Sequence, residues 1–203
     1  MQEIPYLSLV WLTYRLAATF AVGLPLVLLL WASIRKEGSM VRLLTIYWKV
    51  ASLLFISMLL LTDQKPLGFL TLFLAPLLIV ISVWFWVDLN EELADLPPWR
   101  PLPFTVRLWR SALTGFCLIA SLLSSFSLSC ISNQTEASCQ AWLEAPLRMH
   151  RIFEGVFNFL FGGQWTEPVA AFIGYLGLLA YVVGFMQWLL VRLPKQGRIA
   201  GEF

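Results

Sequence analysis

The chain has 203 residues, 59% of them hydrophobic and 13% charged, and its mean hydropathy of +0.77 excludes an ordinary single-core soluble domain. A formal net charge of +2, carried by basic residues scattered among the ends of apolar blocks, excludes a continuous stripe for nucleic acid and assigns those residues to membrane orientation.

Five apolar blocks, at about 7–32, 43–61, 68–87, 112–130 and 169–190, are each long enough to cross a ~30 Å hydrocarbon layer. Backbone groups in lipid must pair within their own segment, and no alternating apolar and polar pattern suggests barrel strands. The expectation is an all-α integral membrane protein: one domain, 1–203, with about five transmembrane helices and an interfacial amphipathic helix.

In chain order, the residues before the first block carry only Glu3, and the block is too long for a cleaved signal, so the first helix is expected to remain. Pro25 and Pro76 fall inside helices one and three, where each removes a backbone donor and kinks its helix unless a neighbour satisfies the freed carbonyl. Arg15 and Lys49 lie within apolar blocks; their long stems can snorkel to the headgroups, the alternative being a substrate or ion pathway. No acidic residue stands mid-helix to form a proton relay.

Between helices three and four the chain reads Asp88 to Asp95 with Glu91 and Glu92, then Pro97, Pro98, Trp99, Arg100, Pro101, Leu102, Pro103. The acidic part can extend helix three beyond the membrane, after which the prolines stop the helix and impose a stiff, extended arm presenting Trp99 and Arg100. Such an arm is either a spacer or a partner-binding element that loses little entropy on docking. Adjacent Glu91 and Glu92 would point differently on a helix and make a poor acid/base pair.

The serines from Ser121 to Ser129 in helix four read as packing residues, there being one histidine far along the chain. Cys130 and Cys139 flank the polar run that follows and can form a disulfide on the outer side, or stand as two free thiols; Cys117 lies inside a helix, and no spaced set of four ligands suggests zinc. Residues 141–161, with Pro146 able to start a helix, read as an outer interfacial helix whose apolar surface includes Phe153 and Phe157. It serves as a cover over the bundle or as a docking surface for another membrane protein. His150 in this stretch could ligate a haem iron or a chlorophyll magnesium, against the commoner reading of a surface histidine beside Arg148 and Arg151. Gly162 and Gly163 permit a turn into helix five, where Ala170, Gly174, Gly177 and Gly184 share a face that another helix can approach closely.

Counting Lys and Arg by side orients the bundle. One side holds Arg35, Lys36, Arg42, Arg100, Arg107, Arg110, Arg192, Lys195 and Arg198; the other holds Lys65, Arg148 and Arg151. The N-terminus is therefore expected outside and the C-terminus in the cytoplasm. Trp11, Trp31, Trp165 and Trp188 near helix ends act as interfacial anchors.

An enzyme needs converging polar groups, and the sequence offers no nucleophile with its base, metal set or paired carboxylates; the expectation is a non-enzymatic protein without catalytic or metal residues. A small-solute transporter or channel, the alternative, would ordinarily show midplane ionisable residues or an internal repeat.

In its whole-chain pattern, its acidic and proline-rich stretch from Asp88 to Pro103 and its turn Gly162, Gly163, Gln164, Trp165, the chain resembles a family of cyanobacterial membrane proteins known as a domain of unknown function. The resemblance covers nearly the full chain. It implies residence in the thylakoid membrane, with the N-terminus lumenal, and an auxiliary role in assembling photosynthetic complexes, photosystem II being the preferred partner. Chlorophyll would then be met only through the partner complex. The resemblance transfers no functional residues.

Overall fold

A computed structural model of the protein describes residues 4–97, 99–132 and 137–200. Among them there is no strand, and five helical spans are long and apolar enough to cross a membrane: Tyr6–Arg35, Gly38–Thr62, Pro66–Trp84, Pro101–Ile131 and Glu167–Lys195. The all-α integral membrane architecture follows.

The first span joins α1 (Ile4–Ala17) through a π-helical turn (Ala18–Gly23) to α2 (Leu24–Arg35). Next come α3 (Gly38–Thr62), α4 (Pro66–Trp84), a short α5 (Val87–Asp95), and α6 (Pro101–Ser125) continued by a 3-10 turn (Phe126–Ile131). Then follow α7 (Ala137–Phe161), α8 (Glu167–Gln187), a second π-helical turn (Trp188–Arg192) and α9 (Leu193–Gln196). Helix α3 is the hub and packs against α2, α4, α5, α7 and α8. Its residues Leu44 and Tyr47 join Leu28, Ile79, Val106 and Trp109 in the main core.

Two prolines inside helices have the same solution. Pro25 leaves the carbonyl of Ala21 without its usual backbone donor, and the Tyr47 hydroxyl of α3 donates to that oxygen at 2.5 Å. The π-helical turn just before Pro25 absorbs the local mismatch. Pro146 does the same to the carbonyl of Trp142, which accepts from the Tyr14 hydroxyl at 2.8 Å. Away from water such a carbonyl has no other donor to turn to, so each tyrosine stabilises a proline, Tyr47 linking two spans and Tyr14 linking the first span to α7.

Three expected boundaries are corrected. The third helix stops at Trp84 instead of running to residue 87 and on into the acidic stretch. Trp86 is extended (φ −84°, ψ 113°), and α5 starts afresh so that Leu89 and Leu93 are buried against the bundle end. The fourth helix begins at Pro101, not near 112, because a proline in the first turn lacks only a donor that the helix leaves unused there. Pro101 and Pro103 therefore belong to α6, and the arm is shorter than expected; Pro98 lies outside the described residues. Finally, Pro146 sits inside α7, which starts at Ala137 instead of at the proline.

Candidate functional site

Each end of the bundle is capped by one non-spanning helix. The α5 cap is held by arginines. Arg107 of α6 donates to the carbonyls of Leu93, Ala94 and Leu96 at 2.5, 3.2 and 2.8 Å, capping the C-terminal end of α5 where a cation is also favoured by the helix dipole. Arg110, only 4% exposed, donates to the Val83 carbonyl at 2.9 Å and to the Asn90 side chain, and its guanidinium lies 4.2 Å from the Trp84 ring centre. Asn90 in turn donates to the Trp84 carbonyl. This network fixes the sharp turn between α4 and α5.

The same cap is tied at its edges. Arg42 meets both oxygens of Glu92 at 2.7 Å, and Arg100 lies 3.7 Å from Glu37. The C-terminal segment folds back across it: Arg198 donates to the Phe85 carbonyl, Val87 N–H to the Arg198 carbonyl, and Ala200 N–H to both oxygens of Asp88 at 3.0 Å. Of the residues expected to face a partner, Glu92 and Arg100 are thus engaged within the molecule, whereas Glu91 is exposed. Trp99 is 82% exposed, on a connection anchored by Arg107 before it and by the start of α6 after it.

The α7 cap is built differently. Cys130 and Cys139 form a disulfide, with Cα atoms 5.7 Å apart, joining the end of the fourth span to the first turn of α7; residues 133–136 between them lie outside the described set. Beyond it Trp142 is buried, donates its indole N–H to the Tyr6 hydroxyl at 2.8 Å and meets the Tyr14 ring edge-on. Trp11 donates to Glu144 at 3.0 Å beneath the Arg148 guanidinium. These contacts end at His150. From Arg151 to Leu160 every residue but Phe157 is exposed, Phe153 at 56% and Phe159 at 88%. Phe157 packs on Trp165, their ring centres 5.3 Å apart. Helix α7 is therefore half a packed cap and half a largely exposed amphipathic helix, not the uniform interfacial segment expected at 141–161.

His150 is 8% exposed and its Nδ1 is closed off by protein without a hydrogen-bond partner among the described residues. Axial ligation of a haem or chlorophyll through that nitrogen would require the packing around α7 to open. Among the described residues no group of three or more His, Cys, Asp and Glu side chains is placed to hold a metal ion.

A family model described as "Protein of unknown function (DUF3177)" matches residues 7–201, which takes in all five spans and both caps. The chain belongs to the DUF3177 family. No curated protein and no solved structure matches it.

In this DUF3177 protein the residues that sequence reasoning missed are the arginines and tyrosines that fasten the caps. Arg107 and Arg110 read as topology markers, yet both point into the molecule. One signal was available: they lie three apart, on the face that α6 shares with Val106 and Trp109, both buried.

Proposed function

We propose that this DUF3177 protein is a non-enzymatic auxiliary or assembly factor that binds a photosynthetic membrane complex, photosystem II in preference, through the α5 cap. The observation that carries the reading is Trp99, 82% exposed on a connection whose two ends are fixed. A large amphipathic ring carried on an anchored connection needs less ordering on docking than one on a free loop, and tryptophan is among the residue types most enriched at interface hot spots. Exposed Glu91 of α5 and the exposed faces of Phe153 and Phe159 at the other end supply further contact surface.

The choice of partner, and residence in a cyanobacterial thylakoid, rest on the family resemblance alone. The orientation proposed, N-terminus lumenal and C-terminus cytoplasmic, is supported by the excess of Lys and Arg at the α5 end and by a disulfide at the opposite end, where an oxidising compartment would preserve it. Chlorophyll belongs to this reading only as a component of the partner.

Purification of the tagged chain from its native membranes in mild detergent, with mass spectrometry and an absorbance spectrum of the intact complex, tests the proposal. Recovery with photosystem II subunits and chlorophyll, lost in Trp99→Ala, is the expected result. Recovery alone, together with solute flux in reconstituted vesicles, would replace it with transport.

A further inference from the structure

The exposed half of α7 continues the face on which the first half is packed. Trp142 and Leu143 are buried in a cluster with Val10, with Leu61 near the end of α3 and with Phe69 near the start of α4, so that face of α7 looks onto the ends of the spans. At 3.6 residues per turn, Phe153 and Leu160 stand about three and five turns beyond Trp142 on the same side of the helix, with Ile152 and Val156 beside them. These four residues are each at least half exposed. Arg151, Glu154 and Asn158 take the opposite side, in line with exposed Gln140 and Glu144 of the packed half. A second observation fixes the level of the overhang. Gly162, at φ 64°, turns the chain, and Phe157 packs on Trp165 just before α8 begins at Glu167. The overhang is thus tied to the beginning of the fifth span, the depth at which an indole meets the headgroups.

We propose that residues 151–160 lie on the lipid leaflet at the α7 end of the bundle, with Ile152, Phe153, Val156 and Leu160 reaching ~5–10 Å into the boundary between headgroups and acyl chains and Arg151, Glu154 and Asn158 turned to water. A helix pressed face-down on the ends of spans holds that same face, once past their rim, towards whatever surrounds the spans, and around membrane-spanning helices that is hydrocarbon. A soluble partner would have to enter the leaflet to reach it. One half of α7 is then a cap on protein and the other an anchor in lipid. The inference stands apart from the partner-binding reading, which rests on Trp99 at the opposite end; a membrane complex would meet this half of α7 from within the leaflet.

The test is a nitroxide scan of the full chain in phosphatidylcholine vesicles, in a Cys117→Ser background with the Cys130–Cys139 bridge intact. Labels are attached one at a time through Ile152→Cys, Phe153→Cys, Glu154→Cys, Val156→Cys, Asn158→Cys and Leu160→Cys. Collision with oxygen, which concentrates in hydrocarbon, should exceed collision with a water-soluble nickel chelate several-fold at positions 152, 153, 156 and 160, and the order should reverse at 154 and 158, so that the ratio swings with the period of the helix. Free access of the nickel chelate on both sides overturns the proposal, because the half-helix then stands in water. Exclusion of both reagents from the four apolar positions also overturns it, because protein then covers that face. All the labelled positions are exposed, so a label that disturbs folding at one of them leaves the phase readable from the others.

Discussion

The two caps of this bundle do the same job by opposite chemistry. At the α5 end a nine-residue helix is held chiefly by guanidinium groups that donate to backbone carbonyls, to one asparagine and to Glu92, with backbone N–H bonds to and from the C-terminal segment beside them. At the α7 end the fastening is a covalent bridge and a set of aromatic contacts, with Tyr6, Tyr14 and Trp11 reaching up from the first span. The α5 cap leads into a connection anchored on both sides that presents Trp99, 82% exposed; beyond His150 the α7 cap leaves nine of the ten residues from 151 to 160 exposed, Phe157 alone being packed on Trp165. On the proposed partner-binding reading, the first is the docking point and the second a further contact surface.

Breaking each cap separately should reveal these unequal fastenings. The largest effect belongs to the bridge: Cys130→Ser, or reductant on the unaltered chain, should cost about 2–4 kcal/mol by releasing the short closed loop, read as a drop in Tm that reductant does not deepen in the variant. Arg110→Met should come next, at about 1–3 kcal/mol for the carbonyl and amide oxygens left without a donor, and should loosen α5 without touching α7, visible as faster amide exchange confined to residues 87–95. Tyr14→Phe should cost about 1 kcal/mol. That penalty should shrink in a Pro146→Ala background, where the restored backbone N–H can serve the Trp142 carbonyl, and a double-mutant cycle measures the coupling directly. Full additivity would show that the tyrosine does not serve the proline. The smallest effect is expected from Glu92→Gln, between 0 and about 1 kcal/mol, because the Arg42 pair is partly exposed and salt-screened.

The spans themselves were legible because hydropathy over twenty residues is a direct readout of what lipid demands. Where the reading failed, a residue type carried two meanings. Proline signals the end of a helix inside it but the start of one at its first turn, so Pro101 reads as part of the arm although it opens α6. Arginine near a span end marks orientation, yet Arg107 and Arg110 also fill hydrogen-bonding needs that only the folded turn creates. The freed carbonyls opposite Pro25 and Pro146 follow from sequence; that Tyr47 and Tyr14 answer them depends on how spans sit side by side, which no local pattern encodes. The small-residue face of the fifth span was partly transferable: Gly174 and Gly177 pack against α3, while Gly184 faces open space.

The central claim, that the α5 cap is a preordered partner surface, is tested most directly by placing a photo-crosslinking residue at position 99 or at position 153 and irradiating native membranes. The account predicts an adduct between position 99 and a photosystem II subunit, formed more efficiently than any adduct from position 153. Adducts from position 99 confined to lipid or to the chain itself, in a protein that retains its helicity, would contradict it.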